Sequence, residues 1–184
     1  MITTWMNRLE KKLNVAIDLD GVIWDLVDPW VKVYNELYND TVNVNEILEY
    51  DLSKSLLKAS RPQLLQILCN KDFWDTVYPF EYSQEYLEKI NNRCNLYIAT
   101  KTDYRILEVK VERLLKLFPF ITSEQVICIQ DKYLLDVDWL IDDCIDNLIL
   151  GNFNKILLDA SYNRYNNYFI RAKNLKDVYN IIWS

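Results

Sequence analysis

The chain has 184 residues, of which 51% are hydrophobic and 26% charged, and it carries a net charge of −6. This size predicts one globular domain, or one domain with a small insertion, and leaves room for a substantial core. The acidic balance argues against long nucleic acid as a partner, because phosphate backbones usually bind to a basic face. With no histidine and no C-x-x-C pair, a zinc site of the ordinary type is not expected.

No apolar run is long enough for a membrane span, and residues 1–12 are too polar for a secretory signal. We therefore expect no membrane partner, a cytoplasmic location, and four reduced cysteines that lie in the core. The composition leaves the choice between a monomer and a homodimer open.

The first predicted element is a buried strand at residues 13–17, which runs directly into Asp18-Leu19-Asp20-Gly21. Side chains two apart in a strand share a face, so Asp18 and Asp20 would lie together. Two carboxylates roughly 4 Å apart repel strongly away from water, so this pair calls for a shared proton or a cation. A hard divalent metal is the simplest answer. An ordinary turn is the alternative, because Asp and Gly are common turn residues.

Residues 26–82 carry helical patterns and no core strand. Asp28 and Pro29 predict the start of one helix as its N-cap and first residue, and Ser60 with Pro62 predicts the start of another. A short helical turn is expected at 45–50. We interpret the segment as a small helical cap, inserted after the first strand, that would lie over the site.

From residue 83 onward, strands and helices alternate. Ser83 is expected to cap a helix, a strand at 96–99 to end at Thr100, and Asp103 to cap a longer helix. The apolar stripe of that helix is predicted to consist of Leu107, Val111, Leu114, Leu115 and Phe118.

Further strands are expected at 126–129, 139–141 and 156–158, with an edge strand at 168–170 and a last helix from Leu175. Gly151 would close the short helix before the strand at 156–158. The alternation predicts an α/β fold, a mostly parallel open sheet with helices on both faces. Its core domain would be 13–25 with 83–184, and its cap 26–82.

Ligands of an open parallel sheet bind beyond the carboxyl ends of its strands. The polar residues expected there are Asp18, Asp20, Thr100, Lys132 and Asp142. A carboxylate such as Asp18 can attack a phosphoryl group and form an aspartyl-phosphate. Asp20 is placed to act as general acid and then general base.

The other strand-end residues suit a phosphate and its metal. Thr100 can hold a phosphoryl oxygen, and Lys132 can offset the charge of nucleophile and phosphate. Asp142 can hold Mg²⁺ together with Asp18. Taken alone, Thr100 would more often be an ordinary β-former and Lys132 a solvated loop residue.

The joint pattern is more specific than any one residue. Asp18-x-Asp20-Gly21-x-x-x-Asp25, then Thr100, Lys132 and Asp142-Asp143 resemble the four motifs of the haloacid dehalogenase superfamily in their usual order. Most members of that superfamily are magnesium-dependent phosphatases. The finer resemblance is to the 5′(3′)-deoxyribonucleotidase family. It rests on Phe73-Trp74 followed by Pro79, on Asn147 after the two acids, and on Tyr162-Asn163-Arg164.

The resemblance implies that Mg²⁺ is bound by the Asp18 carboxylate, the Asp20 main-chain carbonyl and Asp142, under a cap that closes over a nucleoside. We group Lys101 with Thr100 and Lys132 as phosphate-binding, although the family often has a small hydroxyl residue at position 101. The sequence departs from the family again at Trp24, where a small residue is usual, and at Leu26, which replaces a frequent aromatic.

These observations predict a Mg²⁺-dependent phosphomonoesterase that acts on nucleoside monophosphates, with 5′ or 3′ deoxyribonucleotides as the expected substrates. Phe73 and Trp74 would stack on the base, but ordinary core aromatics fit the pattern equally well. Two alternatives stay open. One is a phosphatase of another small ester, such as a sugar phosphate, and the other is a non-catalytic binding protein on the same fold.

Overall fold

The computed structural model describes residues 12–184, so the expectation of no signal peptide falls almost wholly outside it. Its strands are β1 (Asn14–Ile17), β2 (Trp24–Asp25), β3 (Tyr78–Pro79), β4 (Asn95–Thr100), β5 (Val126–Cys128), β6 (Trp139–Asp142), β7 (Asn154–Leu158) and β8 (Ile170–Ala172). Its helices are α1 (Val27–Tyr38), α2 (Arg61–Leu68), α3 (Ser83–Arg93), α4 (Tyr104–Leu117), α5 (Ile145–Ile149) and α6 (Leu175–Trp183).

Six of the strands form one parallel sheet in the order β5-β4-β1-β6-β7-β8. Val15 and Ile17 of β1 belong to the larger apolar core, to which α3, α4 and α6 contribute. Ala16 belongs to a smaller cluster with Leu148 of α5. The strands are apolar on both faces because helices cover both, which confirms the predicted α/β fold. Because β1 lies between β4 and β6, the carboxyl ends of these three strands lie side by side.

Helix α1 begins two residues earlier than predicted, at Val27 instead of Pro29, and its N-cap is Leu26 instead of Asp28. The Asp28 N–H donates to Asp25 Oδ1 at 3.0 Å, so Asp25 satisfies one of the free amides at the helix start. Pro29 is consequently the third helical residue, where its missing N–H also costs nothing. The last acid of the first motif therefore has a structural role.

A short antiparallel pair, β2 with β3, was not predicted, because two residues are too few to show an alternating pattern. It joins Asp25 to Tyr78, and so ties together the two ends of the segment 26–82. That segment contains α1, α2 and several 3₁₀ turns. Its division from the core as a separate cap stays a prediction.

Three local expectations are corrected. The edge strand β8 starts at Ile170, two residues late, and Tyr168 is 91% exposed. Cys128 is an exposed thiol rather than a core residue. The buried residues of α4 are Ile106, Val109, Lys110 and Leu114, so its inner face includes a lysine and is turned away from Leu107 and Val111. Within residues 12–184, no helix combines the length and apolar character needed to cross a bilayer.

Candidate active site

The carboxyl ends of β1 and β6 bring two predicted acids to one lysine. The Asp18 N–H donates to the Ile141 carbonyl at 2.9 Å, which holds Asp18 beside the end of β6. Lys132 Nζ lies 2.5 Å from Asp18 Oδ1 and 2.6 Å from Asp142 Oδ2. The side chains of Lys132 and Asp142 are fully buried, and that of Asp18 nearly so. Three of the predicted site residues therefore meet at a single ammonium group.

The charges of this cluster do not balance. Burial raises the pKa of Asp18 to about 7 against the pull of Lys132, and the nearby Asp142 and Asp20 raise it further. Burial and the same neighbouring acids, Asp142 and Asp18, hold the pKa of Asp143 well above its ordinary value. Burial disfavours the charged form of Lys132, but Asp18 and Asp142 outweigh it and raise the pKa of the lysine. Because Lys132 supplies one positive charge to several buried carboxylates, a bound proton or a cation is needed to balance the remaining negative charge.

A divalent metal fits the acids that lie together. Asp18, Asp142 and Asp143 each offer an oxygen, and these oxygens lie within 4.8 Å of one another. Asp143 Oδ1 is buried and has no hydrogen-bond partner among the described residues, while its other oxygen accepts from the Tyr162 hydroxyl. Gly21 has φ +75°, and a side chain there would overlap the Asp143 carboxylate. Carboxylate oxygens are hard ligands of the kind that Mg²⁺ prefers.

This candidate metal cluster differs in one acid from the predicted ligands, which were the Asp18 and Asp142 carboxylates and the Asp20 main-chain carbonyl. Its third carboxylate comes from Asp143, to which the sequence assigned no role, and the Asp20 side chain lies outside it. Asp20 cannot turn toward the cluster without losing two hydrogen bonds of its own. Any metal contact of Asp20 is left to its main-chain carbonyl, as the family resemblance implies.

Asp142 is fixed by its own strand-to-helix turn. Its Oδ1 accepts from the Cys144 N–H at 2.8 Å and from Asn147 Nδ2 at 3.1 Å. These contacts orient one carboxylate oxygen while Lys132 holds the other. Groups that orient a metal ligand in this way support its geometry.

Asp20 is connected to Thr100 through a lysine that the sequence did not identify. Lys110 Nζ lies 2.5 Å from Asp20 Oδ2 and 3.0 Å from Thr100 Oγ1. The indole of Trp24 donates to Asp20 Oδ1 at 2.7 Å. A signal for Lys110 was present, because it stands four residues from both Ile106 and Leu114 on α4, and a lysine between apolar residues at that spacing must be buried with a partner.

A cavity of about 580 Å³ opens beside these groups. Its polar wall includes Asp20, Gly21, Asp143 and Lys101. Its apolar wall comes from the segment 26–82, with Leu26, Trp30, Tyr50, Leu52, Leu64 and Leu65. Tyr50 packs edge-on against Tyr162 at a ring distance of 5.6 Å, which brings the segment to the Asp143 side of the site. Thr100 is completely buried and is not among the lining residues, and its hydroxyl accepts from Lys110.

Phe73 and Trp74 are placed away from this cavity. They are 4% and 3% exposed, and the Trp74 indole donates to the Leu68 carbonyl at 2.8 Å. Trp74 also packs against Trp24 at 5.8 Å. Both rings are buried and neither lines the cavity, so the expectation that they stack on a base is corrected. The rings that line the cavity are those of Trp30, Tyr50 and Tyr162.

Comparisons with known proteins bear on the family of this chain. The family model described as 5′ nucleotidase, deoxy (pyrimidine), cytosolic type C protein matches residues 11–184. A 5′(3′)-deoxyribonucleotidase of Clostridium acetobutylicum is 34% identical over 164 residues, covering 88% of this chain and 90% of the relative. A protein of the same name in Bacillus subtilis is 30% identical over 169 residues, covering 91% and 96%.

Solved structures show the same fold. A haloacid dehalogenase-type hydrolase of Bacillus subtilis, described as bound to magnesium, superposes with a TM-score of 0.59 at 13% identity, over 94% of this chain and 99% of that one. A hydrolase of Pseudomonas syringae gives 0.59 at 14% identity, over 93% and 97%. Because the family model spans nearly the whole chain and the sheet carries the expected strand-end acids, the chain belongs to the deoxy 5′-nucleotidase type C family of haloacid dehalogenase-superfamily phosphatases.

Proposed function

We propose that this enzyme is a Mg²⁺-dependent phosphomonoesterase that hydrolyses deoxyribonucleoside monophosphates through an aspartyl-phosphate on Asp18. The observation that carries the proposal is the buried Asp18 carboxylate, paired with Lys132 at 2.5 Å, next to a cavity with an apolar wall. The names of the relatives in Clostridium acetobutylicum and Bacillus subtilis support the same substrate class.

In the first step, an Asp18 oxygen attacks phosphorus while the bond from phosphorus to the ester oxygen breaks. Asp20 gives its proton to the departing nucleoside alkoxide, which leaves as the free alcohol. Lys132 offsets the negative charge that gathers on the nucleophile and the transferring group. The attack needs Asp18 in its ionised form, which Lys132 favours against the raised pKa of about 7.

In the second step, water attacks the phosphorus of the aspartyl-phosphate and the bond to Asp18 breaks. Asp20, now a carboxylate, takes the proton from that water, and inorganic phosphate is released. Asp18, Asp142 and Asp143 would hold Mg²⁺, which would supply positive charge to offset the negative charge of the nucleophile and the phosphate. Thr100 and Lys101, at the end of β4, are the residues we assign to the phosphate oxygens with Lys132.

The cavity favours a nucleotide over a sugar phosphate. Its volume of about 580 Å³ is ample for a nucleoside, and small-molecule sites commonly have volumes of about 300–1,000 Å³. The wall that includes Leu26, Trp30 and Tyr50 offers apolar and aromatic surface to a flat base. A sugar phosphate would leave most of that wall without a matching partner.

Phosphate release from a panel of esters tests the proposal. The panel contains 5′ and 3′ deoxynucleoside monophosphates, the ribonucleotides and several sugar phosphates, each with Mg²⁺ and with EDTA. We expect release from deoxynucleoside monophosphates in Mg²⁺ and none in EDTA. Preference for sugar phosphates, or full activity after exhaustive chelation, would contradict it. The sequence leaves the choice between a monomer and a homodimer open, and light scattering would measure the oligomeric state.

A further inference from the structure

Both oxygens of the Asp20 carboxylate are already held by the protein. Oδ1 accepts from the indole of Trp24 at 2.7 Å, and Oδ2 is 2.5 Å from the ammonium of Lys110. Trp24 and Lys110 are 0% and 2% exposed, so both donors are buried, while the Asp20 side chain is 25% exposed and lines the cavity. The group that is to move protons therefore has a fixed orientation rather than a free rotamer.

A tight turn brings Trp24 back to Asp20. The Gly21 N–H donates to the Trp24 carbonyl at 3.0 Å, and the Trp24 N–H donates to the Leu19 carbonyl at 3.3 Å. Gly21 permits this path because its φ of +75° suits a residue without a side chain. The indole is supported from behind by Trp74, whose ring centre lies 5.8 Å away.

We propose that Trp24 is a positioning residue for Asp20, which it fixes opposite Lys110 in the orientation used for proton transfer. The inference rests on the proposed function, in which Asp20 protonates the departing alkoxide. As Asp20 gives up its proton, negative charge develops on a carboxylate that already has a donor on each oxygen. Hydrogen bonds to a charged acceptor are stronger than bonds to a neutral one, so both contacts stabilise the transition state more than the ground state.

Esters with different leaving groups separate this role from simple packing. A nucleoside alkoxide needs a proton to depart, whereas p-nitrophenolate departs without one. A misplaced general acid should therefore slow a nucleotide and spare p-nitrophenyl phosphate. The comparison uses kcat/KM, which covers only the steps up to loss of the alcohol. A change in packing alone would lower kcat/KM for both esters alike.

The test is Trp24→Phe, which keeps a ring and removes the indole donor. We expect kcat/KM for a deoxynucleoside monophosphate to fall tenfold or more, the size of one hydrogen bond to a charged group, and kcat/KM for p-nitrophenyl phosphate to change less than about twofold. Trp139→Phe is the matched control, because Trp139 starts β6 at the opposite end of the sheet. It should leave both esters within about twofold. An equal fall for both esters in Trp24→Phe would overturn the inference.

Asp20→Ala separates failure of this inference from failure of the proposed function. If Asp20→Ala itself does not discriminate between the two esters, the general-acid role is wrong and the inference falls with it. If Asp20→Ala discriminates and Trp24→Phe does not, only the positioning role of Trp24 is wrong. Lys110→Gln, which retains a neutral donor, should show the same selective loss in a weaker form.

The hydrogen bond from Trp24 to Asp20 can also be tested by NMR without any substitution of Trp24. The indole N–H proton of Trp24 should resonate downfield in the wild type, because it donates to a carboxylate, and should move upfield in Asp20→Ala. The indole signal of Trp139 serves as the internal reference and should not move. An unchanged Trp24 indole signal in Asp20→Ala would overturn the contact on which the inference depends.

Discussion

Replacing Lys132 by Met tests how the buried site is held together. The substitution keeps an unbranched side chain of similar length and removes the ammonium that lies 2.5 Å from Asp18 and 2.6 Å from Asp142. Both carboxylates then stay buried without their cation. Removing one partner of a buried ion pair typically costs about 3–5 kcal/mol in the free energy of unfolding. For a domain of this size, that corresponds to a fall in Tm of roughly 6–20 °C.

The cost should depend on pH in a direction set by Asp18. Burial raises its pKa from 3.8 to about 7, so folded Asp18 holds a proton that the unfolded chain has already lost between these values. Over that range, the Asp18 contribution to the free energy of unfolding falls as pH rises. At pH 5 a protonated Asp18 needs no cation. We therefore expect Lys132→Met to lower the free energy of unfolding less at pH 5 than at pH 8.

Urea denaturation of metal-free protein in EDTA, at pH 5 and pH 8, measures the effect. Lys116→Met is the matched control, since Lys116 is 71% exposed and lies 3.5 Å from an equally exposed Asp75. An exposed pair of this kind contributes about 0–1 kcal/mol, so the control should be nearly neutral at both pH values. Adding Asp18→Asn to Lys132→Met should recover part of the loss, because the two residues are coupled.

Two results would refute this reasoning. Equal stability of Lys132→Met and Lys116→Met at pH 8 would mean that Lys132 does not compensate buried charge. A large loss that is the same at pH 5 and pH 8 would mean that the charge of Asp18 is not what Lys132 balances.

Three further predictions follow from the site and its support. Trp74→Ala should lower the free energy of unfolding by about 3–5 kcal/mol in urea denaturation, because it empties a packed position, and a neutral result would return Trp74 to a surface role. Asp143→Asn should weaken Mg²⁺ binding by calorimetry about tenfold or more, and unchanged affinity would exclude Asp143 from the metal cluster. Gly21→Ala should destabilise the protein by roughly 1–2 kcal/mol and weaken Mg²⁺ binding, because φ +75° is strained for alanine and the added methyl group would overlap the Asp143 carboxylate. A variant with wild-type stability and Mg²⁺ affinity would contradict the close approach of Gly21 to Asp143.

The parallel sheet could be predicted because its strands are buried on both faces and therefore appear as short apolar runs. The acids at their ends could be predicted for a related reason. Asp18 and Asp142 follow such runs directly, and a charge at the end of a buried strand has few purposes besides a site. The pairing of β2 with β3 could not be predicted, because each strand has two residues and the partners, Trp24 with Pro79 and Asp25 with Tyr78, are 55 and 53 positions apart.

Side-chain partners were harder to predict than strand positions. Nothing in the local sequence indicates that Lys110 reaches Asp20, which lies 90 residues earlier in the chain. The prediction that Phe73 and Trp74 stack on a base was wrong for another reason. An aromatic pair that packs in a core and one that stacks on a base have the same composition, and only the fold decides which surface they face. The sequence left the role of Asp143 open, because the feature that suggests one is visible only in the fold: its buried Oδ1 has no hydrogen-bond partner in the part of the chain that the structure describes.

Acid quenching during turnover tests the central claim most directly. The wild type and Asp18→Asn are mixed with Mg²⁺ and a deoxynucleoside monophosphate that is radiolabelled at phosphorus. The reactions are quenched in acid within milliseconds and assayed for protein-bound label and for free phosphate. We expect the wild type to carry label on the peptide that contains Asp18 and to release phosphate. Asp18→Asn, folded as judged by circular dichroism, should do neither. Phosphate release by Asp18→Asn at a rate near that of the wild type would contradict the claim that Asp18 is the nucleophile.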